Sequence, residues 1–162
     1  MLIGIDPLLG PELLCHLRAM GHGDDLVIAD ANFPAASIAK RLVRSEGTTA
    51  PQMLAAVLSV LPLDTFTDSP VCVMEVVGNP GTFAPITGEF RTVAAARAGP
   101  KFSNIAALER QAFYERAHRA YAIISTGERR LYGNILIQKG IIEPAASLDP
   151  AELCGKGIDI AE

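Results

Sequence analysis

The sequence predicts an α/β fold, a single layered domain with a central sheet flanked by helices. Two observations carry that prediction. Segments with apolar residues at helical spacing alternate with short apolar runs rich in Val and Ile, the pattern of helices packed on a sheet. The chain has 162 residues and is 49% hydrophobic, which suits one domain with a substantial core.

The elements follow in order. "GPELLCHLRAMG" has Pro11 in a first turn, Leu13, Leu14 and Leu17 at helical spacing, and Gly21 where a C-terminal cap would fall. "LVIAD" is a short buried strand that leaves Asp30 at its carboxyl end, and "ANFPAAS" is a turn or loop because Pro34 biases Phe33 away from helix. "RLVRSEG" supplies another short strand. "TAPQMLAAVLSVLPL" is a helix with Pro51 near its start and Pro62 closing it. "SPVCVMEVV" is a central strand, being nearly continuous in apolar residues. "GNPGTFAPITG" is a loop; it lacks the Gly-Lys-Ser/Thr ending of a phosphate cradle. "ITGEFRTVAAARAG" is a helix, the stretch from Asn104 to Glu128 begins helical and ends as a strand at Tyr121 to Thr126, and "GNILIQKG" is a last strand. A change of composition divides a domain at 1–142 from a C-terminal extension at 143–162, with a short helix expected at "DPAEL".

Composition narrows the function classes. The formal charge is -4 and the basic residues are scattered, so a nucleic-acid partner is not expected. Three separated cysteines, Cys15, Cys72 and Cys154, form neither a C-x-x-C pair nor an even set, against a disulfide framework or zinc finger. The expected location is the cytoplasm, with no membrane span, since no basic n-region and apolar core opens the chain and no apolar run is long enough to cross a bilayer.

Four groups of residues bear chemistry. "MGHGDDLVIAD" sets His22 between two glycines, open to close approach, with a side chain that both gives and takes a proton near neutral pH. A plain surface histidine is the competing reading. Asp24 and Asp25 read as solvated turn or cap residues, whereas Asp30, after an apolar strand, needs a hydrogen-bond partner such as a ligand hydroxyl. In "ERQAFYERAHRAY", Phe113, Ala117 and Ala120 form an apolar stripe, and Arg110, Tyr114 and His118 follow one another along an adjacent face. Arg110 there offers fixed donors to a sugar or carboxylate, or else only covers apolar surface with its stem. "LYGN" brings Tyr132, Gly133 and Asn134 to the entry of a strand: a ring able to stack on a sugar, and an amide that donates and accepts, or simply a turn. His22 with Asp24, Asp25 and Asp30 matches no standard metal-ligand spacing, so no metal is expected.

Taken in order, "IDPLL", "MGHGDDLVIADANFPA", "RQAFYERAHRAYAIISTGER" and "YGNILIQKG" resemble the family of ribose pyranase and L-fucose mutarotase over about residues 1–142. The resemblance implies a central sheet with helices, a homo-oligomeric ring, often a decamer in the family, and sugar sites at subunit boundaries. It implies that His22 transfers the proton and that Asp30, Arg110, Tyr132, Gly133 and Asn134 bind the sugar. Arg110 matches a position that is arginine in fucose mutarotases and histidine in ribose pyranases; Gln111 departs from the apolar aromatic usual in the fucose branch. The expected activity is exchange of the α and β anomers of L-fucose or a related sugar by acid–base ring opening and closing, without a cofactor. The alternatives are a pyranase that interconverts pyranose and furanose forms, and a non-catalytic sugar-binding protein.

Overall fold

A computed structural model describes residues 2–79 and 81–143. The extension from 144 onward, with its expected helix at "DPAEL" and Cys154, lies outside the described residues.

The first helix, α1 (Pro11–Ala19), buries Leu13 and Leu17, and β1 (Asp25–Ala29) follows after a short turn. Gly21 does not cap α1 in the left-handed conformation: Met20 is the C-cap residue, with φ -57 and ψ 140, and the left-handed glycine of the turn is Gly23 at φ +84. The expected loop after β1 contains a single helical turn, α2 (Ala35–Ile38), with Pro34 itself as N-cap. Proline's fixed φ suits the start of a helix even while it disfavours helix in the residue before it.

After β2 (Leu42–Ser45) comes α3 (Ala50–Val57), opened by a capping box in which Thr49 and Gln52 exchange hydrogen bonds with each other's backbone. Such a cap contributes about 1 kcal/mol. The strand β3 (Val71–Met74) and the helix α4 (Ile86–Ala98) form as the sequence predicts. The stretch from Asn104 does not begin helical. Ala106–Leu108 forms a strand, β4, and only then does α5 (Arg110–Arg119) start, with the Glu109 carboxylate accepting from the backbone N–H groups of Gln111 and Ala112. β5 (Ala122–Thr126) and β6 (Ile135–Gln138) complete the chain.

The strands form one mixed sheet in the order β2-β5-β1-β6-β3-β4. β1, β2 and β5 are mutually parallel, β3 is parallel to β4, and β6 runs antiparallel to both β1 and β3. Alternate residues of each strand serve opposite faces. Leu26, Ile28, Ile135 and Ile137 pack with α1, α3 and α4, whereas Val27, Ala29 and Leu136 pack with α2 and α5. Phe113, fully buried on the second face, is worth about 3–5 kcal/mol by truncation.

This topology fixes where ligands gather. Five strands point their carboxyl ends at one edge of the sheet, and β6 begins there. The opposite edge carries the turn before β1 and the segment before β3.

Candidate functional site

Asp30 leaves the carboxyl end of β1 and is buried, with 4% exposure. Its Oδ1 accepts the Asn32 N–H at 2.9 Å, and its Oδ2 accepts Asn134 Nδ2 at 2.9 Å. Asn134 Oδ1 in turn accepts the backbone N–H of Asp30 at 2.9 Å, so one amide clamps the acid at two points. The partner that the sequence reading sought in a ligand hydroxyl is thus already supplied by the protein. Burial pushes the Asp30 carboxyl above its ordinary value and outweighs these donors.

A pocket of about 280 Å³ opens beside this clamp. Asp30, Asn32, Arg110 and Asn134 supply polar groups; Phe33, Met74, Tyr114, Leu131 and Tyr132 supply apolar wall. Phe33 and Tyr114 stack at 5.4 Å between centroids and 13° between planes, and Phe33 meets Phe113 edge-on behind them. Arg110, the first residue of α5, is exposed, with its guanidinium carbon 5.7 Å from the Tyr114 ring centroid. Polar groups converging on one side of an aromatic-walled recess match the anatomy of a small-molecule site.

Tyr132 adopts φ +60, a conformation costly for a bulky side chain, and its hydroxyl accepts the Val77 N–H at 3.2 Å. Gly133 does not line the pocket. A Cβ there would lie 2.6 Å from Glu128 Cγ and 3.2 Å from Asp30 Cβ, so its place in the motif comes from close packing. Glu128 is buried behind it, and Arg130 donates to its carboxylate from the backbone, from Nε and from Nη2. The Arg130 hydrogen bonds, outweighing burial, hold Glu128 down at about 2. Arg130 also pairs with Glu89 on α4, tying the Tyr132 segment to that helix.

His22 is not in this pocket. It precedes the amino end of β1, so the five residues of that strand separate it from Asp30 by roughly 16 Å at about 3.3 Å per residue. There its Nε2 meets Asp64 Oδ1 at 3.1 Å, and Phe66 lies edge-on at 5.5 Å between centroids. The His22 side chain is 45% exposed and that of Asp64 only 6%. Burial raises the Asp64 carboxyl, but the Phe66 N–H and His22 more than compensate and leave it below its usual value. When His22 carries its hydrogen on Nε2 and donates to Asp64, Nδ1 keeps its lone pair.

Asp25 is no solvated turn residue. It opens β1 and takes a two-pronged ion pair from Arg116 of α5, at 2.8 and 2.9 Å. Asp24 does fit the turn reading, accepting the Gly21 N–H. His118 is exposed on α5, away from the pocket. Among the described residues no group of His, Cys, Asp and Glu could hold a metal ion. Asp64, Glu128 and Phe33 escaped the sequence reading. Glu128 had a local sign in Glu-x-Arg, whereas Asp64 has none, because its partner is 42 residues away.

The chain's relatives agree with this architecture. The model of the RbsD / FucU transport protein family matches residues 3–142. A human protein named fucose mutarotase is 46% identical over 145 residues, covering 86% of this chain and 93% of that protein. An L-fucose mutarotase of Actinobacillus pleuropneumoniae is 40% identical, covering 87% of this chain and 97% of that protein. Among solved structures, the fucose mutarotase of Streptococcus pneumoniae in complex with L-fucose superposes with a TM-score of 0.80 at 41% identity, covering 88% of this chain and all of that one (100%). Bacillus subtilis RbsD complexed with D-ribose shares the fold at TM-score 0.65 and 20% identity, over 83% and 95% of the two chains. The family model and the relatives at 40–46% identity together make this chain a member of the RbsD / FucU family.

Proposed function

We propose that this chain is an L-fucose mutarotase, exchanging the α and β anomers of its sugar by acid–base ring opening and closing. The observation that carries the proposal is the clamp of Asp30 and Asn134, which lines a pocket of about 280 Å³ together with Arg110. The named relatives supply the sugar class.

Opening the ring requires loss of the anomeric hydroxyl proton and gain of a proton at the ring oxygen. Asp30, held in place by its clamp, and Arg110 hold hydroxyls and fix the ring; Tyr132 covers a face of it and Asn134 keeps Asp30 aimed. His22 transfers the proton through Nδ1, with Asp64 as the positioning residue that sets its tautomer. Because His22 and Asp30 lie at opposite edges of one sheet, the proposal includes a homo-oligomer in which His22 of a second copy completes the pocket. Two functional halves at opposite edges suit a head-to-tail interface, which forms a ring when the rotation between copies closes.

Saturation-transfer NMR tests the activity. Exchange between the two L-fucose anomers is expected to quicken in the presence of protein, and more than that of D-ribose. No acceleration with any monosaccharide would overturn the proposal.

A further inference from the structure

We propose that Lys139 is a positioning residue for the proposed proton-transferring pair, tying the turn that presents His22, through its ammonium and its main-chain N–H and C=O, to the 138–140 strand end that holds the arm presenting Asp64. The inference rests on the reading of His22 given above.

The turn needs such a device. α1 ends without a left-handed glycine, and the Met20 N–H reaches back only to His16 O, so the last carbonyls of the helix need another partner. Lys139 Nζ supplies it, donating to Leu17 O at 2.8 Å and Met20 O at 2.6 Å. An ammonium suits this place, because it meets the negative end of the helix and brings several donors on a slender stem.

The main chain of Lys139 closes the other side of the turn. Its carbonyl accepts the Gly23 N–H at 2.8 Å, and its N–H donates to Asp24 O at 2.9 Å. Gln138 Nε2 adds a bond to Gly23 O at 3.0 Å. His22 therefore projects from a turn gripped before it by the ammonium and after it by the strand end.

The Asp64 arm meets the same residue. Leu63 forms an antiparallel bridge with Lys139, the Asp64 N–H donates to Gln138 O at 3.0 Å, and the Gly140 N–H donates to Pro62 O at 2.9 Å. Gly140 permits this approach: a Cβ there would lie 2.4 Å from Leu63 O. A contact of 3.1 Å between His22 and Asp64 thus depends on two arms anchored on one stretch, residues 138–140, with Lys139 at its centre. Losing the ammonium leaves the Leu17 and Met20 carbonyls without their donor and frees one arm to move against the other.

The test is Lys139→Met, which keeps the stem and removes the donors, beside Lys139→Arg, which keeps the charge. Val43→Ala, buried on the edge strand β2 and outside the pocket, controls for lost stability. Lys139→Met is expected to lower kcat about ten- to a hundredfold, the scale of a misplaced catalytic group, with KM within about twofold. The 15N signal of His22 Nε2 should shift away from its hydrogen-bonded position, and Lys139→Arg should recover part of both effects. Val43→Ala should lower Tm without moving either. Lys139→Met with unchanged kcat and an unchanged His22 signal, whatever its Tm, would overturn the inference. Should the parent protein show no anomer exchange, the mutarotase reading fails, and the 15N signal still decides whether Lys139 sets the His22–Asp64 contact.

Discussion

Asp30→Asn separates the structural from the functional part of the clamp. In the parent chain both Asp30 oxygens accept, one from the Asn32 N–H and one from Asn134 Nδ2. The substitution turns the second oxygen into an NH₂ that faces another NH₂. Asn134 cannot relieve this by flipping, because its Oδ1 is already committed to the backbone N–H of residue 30. A buried donor left unpaired costs about 1–3 kcal/mol. Burial already penalises the Asp30 charge, so removing that charge returns part of the cost, and the net loss is about 1–2 kcal/mol. For a chain of this length that lowers Tm by roughly 2–8 °C, read by circular dichroism at fixed protomer concentration.

The swapped double variant, Asp30→Asn with Asn134→Asp, restores a donor facing an acceptor at every point of the clamp. It should recover stability to within about 0.5 kcal/mol of the parent. Activity should stay about ten- to a hundredfold low in both variants, since the charge has left the β1 side of the pocket. An Asp30→Asn variant with unchanged Tm, or a double variant no more stable than the single one, would refute the directional pairing.

Two further predictions follow from the same edge of the sheet. Glu128 binds its proton more weakly in the folded chain, at about 2 against the ordinary 4.5, so its contribution is complete above about pH 4.5 and is lost as the pH falls toward 2. Asp30, raised by burial, works in the opposite direction, so the comparison that isolates Glu128 is Glu128→Gln against the parent: the urea midpoint of the variant should change less between about pH 5 and 3, and an equal change in both would contradict the assignment. Arg110→Ala removes an exposed side chain whose proposed partner is the sugar. Its Tm should stay within about 0.5 kcal/mol equivalent while KM for L-fucose rises about tenfold, and an unchanged KM would take Arg110 out of the site.

The fold was readable wherever hydrophobic period and chain punctuation agreed. β1, β3, β5 and β6 are runs of Val, Ile and Leu bounded by polar or glycine residues, and α3 and α4 carry clear helical spacing. β4 was missed because its three residues, Ala106, Ala107 and Leu108, are only half buried and include no β-branched side chain. α2 was missed because one turn of helix is shorter than any period can register. In the site, Asp30 could be located because an acid ending an apolar strand is conspicuous. Its clamp could not, because Asn134 is 104 residues away and reaches it only through the antiparallel pairing of β6 with β1. Asp25 was misjudged for the same reason: its partner, Arg116, lies 91 residues along the chain. The separation of His22 from Asp30 is likewise a property of the folded strand between them.

The central claim is that L-fucose anomers exchange at a site to which two copies of the chain contribute. The most direct test mixes His22→Ala chains with Asp30→Asn chains, reassembles them from denaturant, and measures anomer exchange by saturation transfer. Each variant alone should be nearly inactive. In an equal mixture roughly a quarter of the sites combine an intact His22 with an intact Asp30 from different chains, so about a quarter of the parent activity should return. A mixture no more active than its two parts would contradict the account.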